Sequence, residues 1–319
     1  MKKSTIYSVL IILFCITACD KIEPPYKNIC LDELACNFNG LLPCVYAEEG
    51  LDCDSVMINN NKTILVEKFT GHKCSGCPDA SRKLDELKEV YGDNIISVAI
   101  HPGNLTEFTG TDNNYPYDFT TEDGDLIGYK LGAVYLPLGS INRIDGNVNI
   151  FDGFEFEKTY AYPDWSEQIY NLLHDDSGNL LTKNLDIKIS TIFDEATKQL
   201  DITTEIDVFT NLNENYKLAI IIIEDGIFSP QKDGNEVVEN YEHNDIYRCS
   251  VNSTFGQNIG MLEVGIPFST ENTIILNTEQ NDNWTDDWNN INNCSVIAYV
   301  YNTETYVIEH TEKQHIINE

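Results

Sequence analysis

Basic residues are scarce in this sequence. The 20 lysines and arginines stand against 52 aspartates and glutamates, so the formal net charge is −32 over 319 residues. Binding to nucleic acid depends largely on basic side chains that neutralise phosphates, and this function class is therefore excluded. A basic membrane-binding face is excluded as well, because anionic headgroups would repel such a chain. Any attachment to a membrane must have another source.

Long apolar runs are absent after the N-terminal region. The longest later run, Leu218–Ile223, has the length of a buried strand, whereas a membrane-spanning helix needs about 20 apolar residues. At the N-terminus, Lys2 and Lys3 precede an apolar stretch over residues 6–16. This arrangement is typical of a signal peptide and is too short for a permanent transmembrane helix.

The apolar stretch ends in Ile-Thr-Ala followed by Cys19. Small residues directly before a cysteine resemble the lipobox of bacterial lipoproteins, in which that cysteine carries the lipid anchor. We therefore predict a signal peptide over residues 1–18 and lipidation of Cys19. The alternative is an ordinary signal peptide that is cleaved elsewhere, with Cys19 incidental.

A short cysteine-rich segment follows the predicted anchor. Residues 19–29 contain two prolines and predict an extended tether, and residues 30–58 lack helical or strand periodicity. Such a short segment buries little apolar surface, so disulfides would have to stabilise it. The candidates are Cys30, Cys36, Cys44 and Cys53, and their connectivity stays open. Its acidic and asparagine side chains could bind calcium, although the ligand alternation of an EF-hand is missing; no other cofactor is expected.

A strand–helix–strand unit follows the cysteine-rich segment. An apolar strand at residues 63–67 leads into a turn that contains Cys74 and Cys77, and Pro78 then begins a helix with apolar residues at helical spacing. A second apolar strand at residues 94–100 is of the buried parallel type. The pattern predicts a right-handed βαβ unit in an α/β domain over residues 59–180.

The hydrophobic period changes at Leu185. Residues 185–192 alternate strictly, and about seven strands with alternating faces are predicted over residues 181–319. We therefore expect an all-β, immunoglobulin-like antiparallel sandwich. Cys249 and Cys294 each lie at a predicted strand, and in an exported protein they are candidates for a disulfide.

The Cys74–Cys77 pair has three interpretations. A structural zinc site needs four ligands, but the sequence has no second Cys-x-x-Cys motif, although His72 and His101 could join the pair. A structural disulfide is the second interpretation. A redox pair is the third, because the helix N-terminus and Lys73 would stabilise a Cys74 thiolate while Cys77 acts as the resolving thiol.

Several motifs resemble a known family. The stretches are ILVEKFTGHKCSGCP, VAIHPG, YLPLGSINR, YEHNDIYR and SVIAYVYNTET, and they are similar to thioredoxin-like envelope lipoproteins related to the outer-membrane protein of twenty-eight kilodaltons. The resemblance implies a thioredoxin-like domain followed by a β-domain at the cell envelope. It does not imply an established reaction.

The resemblance also implies roles for single residues. Cys74 resembles the attacking thiol of thioredoxins, and Pro137 resembles the cis-proline that faces the pair. Glu67 is similar to the buried acid that assists proton transfer, but its spacing is one residue too long and Lys68 occupies the matching offset. His72 or His101 could fill that role instead.

Two functions are expected from these patterns. The first is thiol–disulfide exchange on exported proteins by a lipoprotein of the outer membrane that faces the periplasm or the surface. The second is a non-enzymatic surface or binding lipoprotein in which the Cys-x-x-Cys motif is a structural disulfide.

Overall fold

The computed structural model describes residues 35, 61–147, 157–276 and 290–317. The chain divides into two units, residues 1–59 and residues 60–319, and the fold below is that of the second. Several predictions lie outside the described residues: the signal peptide, lipidation of Cys19, the tether, and the cysteines and calcium ligands of residues 30–58.

The described helices are few and the strands are many. The helices are α1 (Cys77–Tyr91), α2 (Thr106–Thr109), α3 (Glu122–Leu131) and α4 (Trp165–Leu173). The first strands are β1 (Ile64–Phe69), β2 (Ile95–Ile100), β3 (Leu138–Ile141), β4 (Leu185–Asp194), β5 (Gln199–Val208) and β6 (Leu212–Glu224). The later strands are β7 (Ile227–Asp233), β8 (Glu236–His243), β9 (Ile246–Ser250), β10 (Gln257–Leu262), β11 (Phe268–Ile275), β12 (Cys294–Asn302) and β13 (Ile308–His315). None of the helices in these ranges combines the length and apolarity needed to cross a membrane.

The predicted βαβ unit is present. Strands β1 and β2 pair in parallel, with Ile64 opposite Ile95, and α1 connects them. Every residue of both strands is buried, as expected for a parallel pair covered on both faces. Helix α1 packs Leu84 and Leu87 onto one of these faces, where Trp165 of α4 joins them.

One large sheet contains strands from both predicted domains. Its order is β13-β12-β6-β9-β2-β1-β3, and β10 also pairs with β6. Strand β9 joins β2 in parallel at Ala99 and Ile246, and the amide of Ala99 donates to the carbonyl of Asp245 at 2.7 Å. The sequence predicts one sheet before residue 180 and another after it. In the structure, strands from both parts form one sheet, because β9 pairs with the edge of β2.

A second layer of strands packs against part of this sheet. Strands β11, β5 and β4 form a three-stranded antiparallel sheet. The alternating residues Leu200, Ile202 and Ile206 of β5 are fully buried and share a core with Ile220 and Ile222 of β6. The predicted alternation therefore does form a two-layer β arrangement, but one of its layers is the large mixed sheet. The chain as described is a mixed α/β fold that is rich in sheet.

Candidate functional site

Cys74 and Cys77 lie in the turn between β1 and α1 and form a disulfide. Their Cα atoms are 5.4 Å apart, within the ordinary range for such a bond. Helix α1 begins at Cys77, with Pro78 in its first turn and Gly76 as a cap that contributes no side-chain hydrogen bond. The sequence folds this way because a first-turn proline fits the helix start. Cys74 therefore lies beside the amide end of the helix, as the sequence predicts.

Pro137 faces this turn. The Leu136–Pro137 peptide bond is cis, and a Cβ atom placed on Gly76 would lie 3.7 Å from Cδ of Pro137. The loop that precedes β3 thus stands opposite the cysteine turn.

A hairpin formed by β7 and β8 covers the disulfide. The side-chain amide of Gln231 donates to the carbonyls of Gly71 and Cys74, both at 3.2 Å. Further along the hairpin, the amide of Lys232 donates to the carbonyl of His72 at 2.8 Å, and that of Gly234 donates to Ser75 at 2.9 Å. Cys74 and Cys77 are each 2% exposed.

An ion pair joins the tip of the same hairpin to α1. Arg82 donates to both carboxylate oxygens of Asp233, at 2.9 and 3.2 Å, and to Asp79 on its own helix. The Asp-Gly pair at 233–234 is a hairpin signal in the sequence. That signal could have located the turn. No short sequence motif, however, indicates that the hairpin packs on the cysteine turn.

Lys73 is engaged by a carboxylate. Its ammonium lies 2.7 Å from Asp112 and 5.6 Å from the ring centroid of Tyr115. The contact with Asp112 offsets the positive charge that the sequence offered for stabilising a Cys74 thiolate.

His72 and His101 are both buried close to the disulfide. The Nε2 atom of His72 lies 3.1 Å from the carbonyl of Gly110, and burial lowers the pKa of this imidazole. His101 stacks on Phe119 with ring centroids 4.7 Å apart, and neither of its ring nitrogens has a partner among the described residues. Burial, followed by the neighbouring His243 ring, lowers the pKa of His101 well below its ordinary value.

The zinc interpretation does not fit the disulfide. Metal-binding cysteines are thiolates, whereas the two sulfurs here are bonded to each other. Within the described ranges, the group of side chains close enough to hold a metal ion is Asp186, His310 and Glu312, which includes neither cysteine. Lys183 already lies 2.5 Å from Asp186 there.

Glu67 lies in a buried ion pair. Both of its carboxylate oxygens accept from Arg143, at 2.8 and 2.5 Å, and Arg143 also donates to Tyr299 at 2.9 Å. Burial opposes the charge of Arg143, but Glu67 and Tyr299 outweigh it and raise the arginine pKa. The role that the resemblance suggested for Glu67 is thus replaced by a buried ion pair.

A small cavity lies between α1 and the hairpin. Its volume is about 60 Å³, and the residues around it include Lys68, Cys77, Ser81, His101, His243 and Asp245. Lys68, which lies at the spacing where thioredoxins carry the buried acid, therefore borders the same polar cavity as Cys77.

The sequence matches the family model for outer membrane protein Omp28 over residues 129–319. This chain belongs to the Omp28 family. Membership confirms the resemblance read from the sequence motifs and the location at the outer membrane. The matched part of this Omp28 chain begins after the cysteine pair, so the match itself carries no information about Cys74 and Cys77.

Solved structures extend the comparison. HBP35 of Porphyromonas gingivalis is 15% identical, with 80% of this chain and 76% of that chain covered and a TM-score of 0.56; at this identity the likeness concerns the fold alone. A protein from Agrobacterium tumefaciens is 12% identical over 80% and 95% of the two chains, with a TM-score of 0.47. A domain of the outer membrane lipoprotein Omp28 from Porphyromonas gingivalis is 14% identical over 42% and 88%, with a TM-score of 0.29. Among curated proteins, none matches this Omp28 sequence.

Cys249 and Cys294 are buried thiols rather than the predicted disulfide. Cys249 lies opposite Ile222 on one side of β6, and Cys294 lies opposite Glu224 on the other side. Two strand spacings of about 4.8 Å separate the two cysteines, and a disulfide requires Cα atoms within about 7 Å. The sequence places both residues on strands but does not show that β6 lies between them.

Proposed function

We propose that this Omp28-family protein is lipid-anchored in the outer membrane through Cys19 and carries out thiol–disulfide exchange on exported proteins through Cys74 and Cys77. The observation that carries the proposal is the disulfide at the amide end of α1, opposite Pro137. Helix amides and the helix dipole stabilise a thiolate at this position. The anchor rests on the lipobox-like sequence before Cys19.

The exchange takes place in two displacements. A thiolate of an exported protein attacks the Cys74 sulfur, the Cys74–Cys77 bond breaks, and its electron pair leaves with the Cys77 sulfur. A second thiolate of the exported protein then attacks its own sulfur in the mixed disulfide and releases Cys74 as a thiolate. The exported protein is oxidised by two electrons and the cysteine pair is reduced; the reverse sequence reduces a substrate disulfide.

The hairpin must move before a protein thiol can reach Cys74. It forms a separate two-stranded sheet, so its position depends on the contacts with the cysteine turn and α1. Its two ends lie at Gly226 and Asp245, and both have a positive φ. The hairpin can therefore move as a unit about Gly226 and Asp245 while the large sheet stays intact.

The burial of the disulfide favours a second candidate function. A pair that is 2% exposed and held under a hairpin would suit a structural disulfide in a surface or binding lipoprotein. Fold alone does not choose between the two, because redox folds are reused for other purposes.

Trapping of intermediates separates the two functions. In the native envelope, Cys77→Ser should accumulate reducible adducts between Cys74 and exported proteins, because the resolving thiol is missing. The matched control is the double variant Cys74→Ser, Cys77→Ser, which has no attacking sulfur. An absence of adducts, together with a pair whose potential lies below about −300 mV, would identify a structural disulfide.

A further inference from the structure

Lys68 is a lysine inside the molecule. It lies in β1 opposite Ala99 of β2 and Gly139 of β3. Lys68 as a whole is 8% exposed. Lysine is among the residues least often found in protein interiors unless they are paired.

The amine of Lys68 lies close to the backbone of Cys77. It donates to the hydroxyl of Ser81 at 2.8 Å, and that hydroxyl donates to the carbonyl of Cys77 at 3.3 Å. Cys77 and Ser81 are four residues apart on α1 and so lie on one face of the helix. Lys68, Ser81 and Cys77 also border the same cavity.

Other titratable groups face the cavity from each element around it. They are Asp85 on α1, His101 directly after β2, Tyr241, Glu242 and His243 on the hairpin, and Asp245 before β9. Lys88 on α1 acts on Lys68 through its charge. The Asp245 carboxylate accepts from Lys88 at 2.6 Å and from the Ser97 hydroxyl. Lys88 therefore neutralises much of the charge of Asp245, while Lys68 is hydrogen-bonded to a neutral hydroxyl.

We infer that Lys68 exchanges a proton with the Cys77 sulfur when the disulfide opens, an inference that rests on the proposed exchange at Cys74. When a thiolate attacks Cys74, the electron pair of the broken bond goes to the Cys77 sulfur. The Lys68 ammonium then gives a proton to that sulfur across the cavity, which leaves a thiol and a neutral amine. In the reverse direction the amine takes the proton back as Cys77 attacks the mixed disulfide.

The surroundings of Lys68 suit this role. Burial lowers the pKa of its ammonium, and the charge of Asp245 opposes that effect. The result is a stronger acid than a solvent-exposed lysine, and a proton-transfer group works best when its pKa approaches the ambient pH. His101 and His243 border the same cavity, but burial keeps both imidazoles neutral, and the pKa of His243 is lowered to about 4.

The first experiment uses the unaltered protein. The Nζ resonance of Lys68 is followed by nitrogen-15 NMR across a pH titration, with the pair oxidised and then reduced. Two groups that share a proton titrate together, so the Lys68 midpoint should differ between the two redox states by about one pH unit or more. Identical midpoints in both states would overturn the inference.

The second experiment compares Lys68→Met with Lys83→Met. Lys83 lies on α1, 3.6 Å from the exposed Glu86. Its replacement is the matched control, because it also removes one lysine. The Cys77 thiol is titrated through its carbon-13-labelled Cβ in the reduced protein. Lys68→Met should raise the Cys77 midpoint by about one unit, whereas Lys83→Met should resemble wild type.

The two experiments also separate this inference from the proposed function. Equal Cys77 titrations in the two variants would overturn the role of Lys68, even where Cys77→Ser traps adducts in the envelope. Coupling of Lys68 to Cys77 without any adducts would support the proton exchange and contradict exchange with exported proteins. If Lys68→Met does not fold, the titration of Lys68 in the unaltered protein decides whether the inference holds.

Discussion

Glu67 and Lys68 are adjacent in β1 and point to opposite faces of the sheet. Glu67 is held by Arg143, and Lys68 is held by Ser81 beside Cys77. Side chains alternate along a strand, so a shift of one residue in β1 would exchange the acid and the base. The polar group next to the cysteine pair is therefore a lysine, and the acid that resembles its counterpart in thioredoxins stabilises the other face.

Loss of the hairpin contact with α1 should expose the disulfide more often. We expect Asp233→Asn to speed reduction of the Cys74–Cys77 pair by a protein dithiol up to about fivefold, since an exposed ion pair contributes about 0.2–1 kcal/mol. Asp79→Asn removes the other partner of Arg82 and keeps the hairpin contact, so it is the matched control. Equal reduction rates in both variants would show that this ion pair does not hold the hairpin closed.

The buried Glu67–Arg143 pair should be sensitive to the loss of one partner. We expect Arg143→Met to lower the free energy of unfolding by about 3–5 kcal/mol, because the Glu67 carboxylate would stay buried without its cation. The measurement is urea unfolding at pH 7. The double variant Glu67→Gln, Arg143→Met should recover much of the loss. A single variant as stable as the double one would contradict the explanation.

Stability should fall as the pH drops below about 6.5. Burial, opposed by a hydrogen bond to Ser229, lowers the pKa of His243 from 6.5 to about 4. The unfolded chain therefore binds a proton first, and the contribution of neutral His243, about 3 kcal/mol at most, is lost between pH 6.5 and pH 4. Urea unfolding of wild type and His243→Gln across this range measures it. The matched control is the replacement of the partly exposed His174 by Gln.

Cys249 and Cys294 should both be thiols in the exported protein. Burial raises the pKa of the Cys294 thiol, and both side chains are enclosed in the folded chain. Iodoacetamide should therefore label them slowly in the folded state and promptly in urea without a reductant. Recovery of a peptide that links the two cysteines after non-reducing digestion would contradict the structure.

Membrane attachment should depend on Cys19. We expect Cys19→Ser to give a protein that no longer partitions with membranes, because the acidic chain offers no basic face and the lipid is the proposed anchor. Fractionation of the envelope measures it, with Cys294→Ser as a control that removes a buried cysteine instead. Unchanged partitioning of Cys19→Ser would exclude the lipid anchor.

Local sequence patterns predicted the individual helices and strands of this fold better than the contacts between them. The run at Ile64–Phe69, the first-turn proline and the alternation after Leu185 gave β1, α1 and β4 because these signals act over a few residues. The pairing of β9 with β2, the covering hairpin and the position of β6 between two cysteines depend on contacts between distant segments. The sequence shows that Lys68 lies at the spacing from the cysteine pair at which thioredoxins carry a buried acid. It does not show that Lys68 is buried, because that depends on the distant hairpin.

The single parallel contact between β2 and β9 also has a consequence for how the chain matures. A chain that emerges N-terminus first completes β1, α1 and β2 long before Ile246 arrives to pair with Ala99. Until then, the edge of β2 is open to other strands, which is a recognised source of misassembly. The hairpin, too, is synthesised only after this delay. The two cysteines therefore stay uncovered by the hairpin until its residues have been synthesised and have docked onto the cysteine turn.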